Sequence, residues 1–145
     1  MRIPIYQIDA FSSQPFKGNP AAVCPLKEWL PDEVMQSIAM ENNLSETAFF
    51  IKNEDQYDIR WFAPKIEIDL AGHPTLATAH VIFNEMNHQG DSITFNSKIG
   101  DTLDITRNKD IISMNFPSRP PKKISNKELI EEAIGVEVEE FYENR

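Results

Sequence analysis

Apolar positions alternate with polar ones over most of the first 116 residues, and two stretches switch to a helical period. Ile3, Ile5, Tyr6, Ile8, Ala10 and Phe11 form a mostly apolar run that predicts a buried strand. Phe16-Lys17-Gly18-Asn19-Pro20 supplies turn chemistry, since Gly tolerates positive φ and Pro pushes Asn19 toward an extended shape. Ala21-Ala22-Val23-Cys24 is a second short strand. A helix is expected from Pro31, with Asp32 and Glu33 at the positive end of its dipole. Val34, Met35, Ile38 and Ala39 recur at helical spacing, and Asn42-Asn43 offer a stop. The β-branched and aromatic run Thr47 to Ile51 reads as a strand. Tyr57, Ile59 and Trp61 alternate with Asp58, Arg60 and Phe62, predicting a half-buried strand ended by Pro64. Ile66, Ile68 and Leu70 alternate with Glu67 and Asp69 in the same way.

Gly72-His73-Pro74-Thr75 then opens a helix expected over 74–86, with Pro74 as its first residue and Gly90 beyond its end. Leu76, Ala77, Ala79, His80, Ile82 and Phe83 populate it. Three more strands fit around Ile93–Phe95, Leu103–Ile105 and Ile111–Phe116. Pro117-Ser118-Arg119-Pro120-Pro121-Lys122-Lys123 reads as a linker. Ser125-Asn126-Lys127-Glu128 matches a capping box for a helix carrying Leu129, Ile130, Ala133 and Ile134, with Gly135 as its C-terminal cap. A strand-like pattern occupies Val136 to Arg145. The expected division is a lobe over 1–118, followed by a linker, helix and the start of a second lobe over 119–145.

Composition changes the picture by exclusion. The 145 residues carry a net charge of −9, which argues against nucleic acid or an anionic membrane as the main partner, because both need a positive field. A single cysteine, Cys24, rules out an intrachain disulfide and a Cys-cluster metal site; it is expected to be a small buried hydrophobe. No apolar run is long enough for a membrane span, and Met1-Arg2-Ile3-Pro4 lacks the pattern of a secretory signal, so a cytoplasmic location is expected. Glu131-Glu132 and Glu137 to Glu140 read as a solvated face.

Two places can carry chemistry. Glu46 follows a helix-to-strand turn and precedes Ala48-Phe49-Phe50. It is either a solvated turn residue or a partly desolvated carboxylate, whose pKa would rise toward the range useful for proton transfer. Gly72-His73-Pro74-Thr75 is either an ordinary tight turn or an anion site, because the unpaired amides of a first helical turn can hold a carboxylate or phosphate. His73, His80 and His88 do not have the spacing of a metal set. No GxGxxG, GxxxxGK or GxSxG pattern occurs.

Three segments taken together are more specific. They are Gln7-Ile8-Asp9-Ala10-Phe11 with Gly18-Asn19-Pro20-Ala21-Ala22-Val23, then Asn42-Asn43-Leu44-Ser45-Glu46-Thr47-Ala48-Phe49, then Arg60-Trp61-Phe62 with Asp69-Leu70-Ala71-Gly72-His73-Pro74-Thr75-Leu76-Ala77. In this order they resemble the N-terminal half of the PhzF-like (phenazine-biosynthesis-like) isomerases. The resemblance covers residues 1 to 118 well and the rest more loosely. It implies an α+β lobe of the diaminopimelate-epimerase type, a curved mixed sheet wrapped around a central helix, with a cofactor-independent active site in a cleft between two such lobes.

The resemblance further implies that Glu46 is the general acid/base, moving a proton from one carbon to another of an allylic system in a small carboxylated metabolite. Gly72 and His73 would line the substrate pocket, their amides binding the carboxylate and His73 contacting the reacting region as a second catalytic residue, with Thr75, Asn19 and Ser45 as further substrate-binding residues. Ala71 stands where the related racemases carry a thiol, so chemistry by one carboxylate is expected rather than by two thiols. Family members are about twice as long, and their second lobe supplies an Asp and another helix N-terminus. The chain alone is therefore expected to be weakly active at most, and to self-associate, as a homodimer or otherwise, or to be poorly soluble, through exposed apolar surface. The competing reading is a non-catalytic lobe that self-associates or binds a partner through its open cleft.

Overall fold

The computed structural model describes residues 2–125 and 128–143. In chain order the elements are β1 (Tyr6–Ala10), β2 (Asn19–Leu26), α1 (Asp32–Asn42), β3 (Glu46–Asn53), β4 (Gln56–Phe62), β5 (Glu67–Ile68) and α2 (Gly72–His80). There follow β6 (Ser92–Ser97), β7 (Thr102–Asn108), β8 (Ile111–Asn115), β9 (Lys122–Lys123), α3 (Glu128–Ile134) and β10 (Tyr142–Glu143). The main sheet runs β1-β2-β3-β4-β6-β7-β8, and β5 also pairs with β4. Two neighbouring pairs, β2–β3 and β4–β6, are parallel and the rest antiparallel. Parallel neighbours need a crossover, and α1 and α2 supply them.

The two helices sit on opposite faces. Ala48 and Phe50 of β3 join α2 in one buried cluster, with Ile59 and Trp61 of β4 and Ala77, Ala79 and Ile82 beyond. The intervening Phe49 joins Phe62, Cys24 and the α1 residues Met35 and Ala39 in the other. The rings of Phe49 and Phe62 meet edge to face, centroids 5.5 Å apart, a contact adding about 0.5–1.5 kcal/mol to the burial itself. The result is a curved mixed sheet curled as a half-barrel around α2, as expected. Small residues let the sheet approach the helix: Ala21, Ala48, Ala77 and Ala79 are fully buried.

Several boundaries depart from expectation. β4 is covered on both faces rather than half-buried, because α1 lies over Arg60 and Phe62. β2 runs on through Pro25, which the sheet tolerates because β1 pairs no further than Val23. Pro31 caps α1 from outside, and the stop at Asn43 is realised by its left-handed backbone (φ 51°). α2 begins at Gly72, two residues earlier than expected. Pro74 is then its third residue, still within the turn whose amides need no partner. The helix is not uniform to residue 86: Val81–Glu85 form a π-helical turn closed by Met86 N–H on Val81 O, which buries Val81, Ile82 and Phe83 together. Ile66–Leu70 yields only the two-residue β5.

The expected linker contributes β9, which pairs antiparallel with β10 in a separate two-stranded sheet. Gly135 caps α3 with φ 72°, and its N–H meets Glu131 O at 2.8 Å. Asn126 and Lys127 of the capping box, and Asn144 and Arg145 of the last strand pattern, lie outside the described residues. Among the described residues no helix is long and apolar enough to cross a membrane.

Candidate functional site

Glu46 is the first residue of β3, set beside Ala21 of the parallel strand β2. The turn that delivers it is tied on both sides. Asn42 Nδ2 donates to Thr47 Oγ1 at 3.1 Å, closing the helix end onto the strand. Ser45 Oγ donates to Asn19 Oδ1 at 3.2 Å, and it lies 3.4 Å from Pro20 O. Asn19 and Ser45, both expected to contact substrate, therefore hold each other next to Glu46.

His73 arrives from the other direction. Ala71 is the N-cap of α2, extended at φ −138°, and no side chain caps the helix. Its first amides are left available, and the dipole makes that end favourable for an anion. Gly72 is exposed, and a Cβ built there would find nothing within 4 Å, so the space over the helix end is open. Thr75 is fully buried and its hydroxyl donates to Ala71 O at 2.6 Å. That hydroxyl is committed to the helix itself.

The two segments meet at one contact. His73 Nε2 stands 3.1 Å from Glu46 Oε2, with the side chains only 10% and 19% exposed. Neither atom makes a hydrogen bond among the described residues, and both are shut off from water. A carboxylate in this position is sheltered and faces an imidazole at the mouth of a helix N-terminus. Such a group can take a proton and return it, while backbone amides hold an anion nearby.

The other histidines stand elsewhere. His80 Nδ1 accepts from Asn84 Nδ2 at 3.0 Å, and His88 lies against Tyr57 and Ser92. Among the described residues, no three His, Cys, Asp or Glu side chains are placed to share a metal ion. Cys24 is 1% exposed and burial pushes its thiol up to about 12, so it is inert.

One cluster escaped the sequence reading. Arg60, 8% exposed, donates to Glu67 through Nε at 2.6 Å and Nη2 at 2.8 Å, and reaches Asp32 at 2.9 Å. Its guanidinium lies 5.4 Å from the ring centre of Trp29 and 5.2 Å from that of Phe62. Hydrogen bonding to Arg60, reinforced by Lys98, holds the Glu67 carboxyl below its usual range. The cluster pins α1 and β5 to β4, and β5 leads directly into Gly72 and His73. Within the strand pattern Arg60 looked like an outward residue; only its partners, distant in sequence, reveal it.

Comparison with known proteins adds a third line. The family described as phenazine biosynthesis-like protein matches residues 8–142. An uncharacterised isomerase of Pseudomonas aeruginosa is 45% identical over 136 residues, covering 94% of this chain and 52% of that protein. The mouse phenazine biosynthesis-like domain-containing protein 1 is 40% identical over 146 residues, covering 93% and 50%. Among solved structures, a PhzF-family phenazine biosynthesis protein of Enterococcus faecalis superposes with a TM-score of 0.80 at 46% identity, over 98% of this chain and 54% of that one. A predicted epimerase of P. aeruginosa shares the fold at a TM-score of 0.73 and 21% identity, over 94% and 51%. The chain spans about half the length of the relatives it matches.

Proposed function

Because the chain belongs to the PhzC-PhzF family of phenazine biosynthesis-like proteins, we propose that it forms the proton-transferring half of a cofactor-independent isomerase, with Glu46 as general acid/base. The substrate class is a small unsaturated carboxylate. Its carboxyl group sits on the amides of Gly72 and His73, where the helix dipole favours negative charge. Glu46 takes a proton from the carbon beside the double bond, the electron pair moves along the allylic system, and the same carboxyl returns the proton at the far carbon. The double bond shifts, nothing is oxidised or reduced, and no cofactor is required. His73 faces the reacting carbons and orients the carboxylate.

The observation carrying this reading is the 3.1 Å approach of Glu46 Oε2 to His73 Nε2 at the uncapped start of α2. The test is proton exchange, which can be read without a full turnover. A panel of small β,γ-unsaturated carboxylates is incubated with the chain in D2O and followed by proton NMR. Wild type is expected to exchange carbon-bound hydrogen slowly, and Glu46→Gln not at all, with an unchanged circular dichroism spectrum. Equal exchange by the two proteins overturns the assignment.

A second reading, a non-catalytic lobe that pairs with its own copy, draws on Phe11 and Phe16, which are 71% and 94% exposed. Sedimentation velocity tests the pairing: self-association is expected under either reading, and a clean monomer at every concentration refutes it.

A further inference from the structure

Among the described residues three buried side-chain polar atoms have no hydrogen-bond partner: Glu46 Oε2, His73 Nε2 and the indole Nε1 of Trp61. The first two form the site described above. The third belongs to a ring packed in the main core, and a buried donor left unmade costs about 1–3 kcal/mol. Such a cost calls for a reason.

The register places Trp61 between the two segments that build the site. Its partner across β3 is Ala48, two positions along from Glu46 and on the same face of the sheet. Diagonal neighbours of this kind lie roughly 7–8 Å apart, within reach of a long aromatic side chain. On its other side Trp61 pairs with Ile68 of β5, from which Asp69 and Leu70 lead to Ala71 and the start of α2. Ala48, Trp61 and Ala71 belong to one buried cluster. Trp61 also lines a cleft of about 310 Å³ together with Arg60, Glu67, Ile68, Asp69 and Lys98, a cleft that Glu46, Gly72 and His73 do not line.

We infer that Trp61 is a further substrate-contacting residue of this site, its indole N–H donating to an oxygen of the bound carboxylate. The inference rests on the isomerase reading and adds to it a group of different chemistry. Glu46 is the group that exchanges the proton, whereas an indole N–H only donates a hydrogen bond and keeps its hydrogen at every pH. Removing a proton from carbon next to a carboxyl group spreads negative charge onto its oxygens. A fixed, neutral donor buried beside that point stabilises the charge without competing for the proton.

The chain has two tryptophans, so a 15N-labelled sample shows two indole N–H resonances, which Trp29→Phe and Trp61→Phe assign. But-3-enoate, the simplest β,γ-unsaturated carboxylate, is titrated in while the Gly72 amide and both indoles are followed. The expected result is a saturable shift of the Gly72 amide and the Trp61 indole with the same midpoint, and a still Trp29 indole. Trp61→Phe is expected to weaken binding about tenfold. If the Gly72 amide moves and the Trp61 indole does not, the inference falls while the anion site stands. If neither moves, the site reading fails and takes the inference with it. Should Trp61→Phe not fold, Trp29→Phe still assigns the wild-type resonances and the shift decides.

Discussion

Replacing Arg60 by Met removes the guanidinium but keeps an apolar stem against Trp29 and Phe62. Breaking a fully buried ion pair from one side costs about 3–5 kcal/mol, because the remaining charge is left without a partner. Two features reduce that figure here. Glu67 keeps 24% of its side chain exposed, and Lys98 remains 2.7 Å from it. The expected loss is therefore about 2 kcal/mol at neutral pH, which lowers the melting temperature of a chain this size by roughly 5–8 °C.

The pH dependence carries the sharper test. Hydrogen bonding to Arg60 lowers the folded-state pKa of Glu67 below its ordinary 4.5. A depressed carboxyl contributes stability that is fully present above its unfolded value and disappears as pH falls through the folded one. Urea denaturation followed by circular dichroism should thus show the wild type losing its advantage over Arg60→Met as pH is taken from 7 to below 4. An advantage that is absent at pH 7, or that persists undiminished in acid, refutes the account. Since the same cluster anchors β5 ahead of Gly72, the variant should also weaken carboxylate binding without touching the site.

Other outcomes follow from single positions. Gly72→Ala should fold with stability changed by no more than about 0.5 kcal/mol, because the added methyl meets nothing. The same methyl stands over the helix amides, and calorimetry with but-3-enoate should register weaker binding. Gly18→Ala should behave oppositely: its Cβ would run into Ala10 O and the Asp9 carbonyl, backbone atoms that cannot move aside. A loss of about 1–3 kcal/mol on thermal denaturation is expected. Cys24 should react with a thiol reagent at pH 8 only after denaturant is added, since burial holds the thiol up to about 12.

What the sequence disclosed tracks how local each cause is. Four of the five residues from Thr47 to Ile51 are β-branched or aromatic, and the run forms a strand. Asn43 follows the last helical residue and took up the left-handed backbone that ends α1. Both effects need nothing beyond near neighbours. The failures have tertiary causes. Arg60 is buried by Asp32, which lies 28 positions earlier, and by Glu67, and neither partner shows in an alternation pattern. The π-helical turn after His80 answers to burial of three consecutive apolar residues, a demand no regular period expresses. Glu46 and His73 are likewise far apart in sequence, so only the three-segment resemblance placed them in one site.

Where Glu46 points is a matter of strand register. A slip of one residue in β3 would carry it to the α1 face and away from α2. Hydrophobicity does little to prevent this, because Phe49 and Phe50 are adjacent, alike in size, and buried on opposite faces. Size and hydrogen bonding must discriminate instead. Ala48 is small where it faces Trp61 and the α2 cluster, and Thr47 carries on the other face a hydroxyl that accepts from Asn42. Ser45 and Asn19 fasten the start of β3 to the start of β2. These polar contacts are partly exposed, and each is worth about 0.5–1.5 kcal/mol. Their combined effect exceeds what their energies suggest, since they choose between two registers that the aromatic core accepts almost equally. The placement of the acidic group beside His73 is in this sense decided at the turn before it, by side chains that need never meet a substrate.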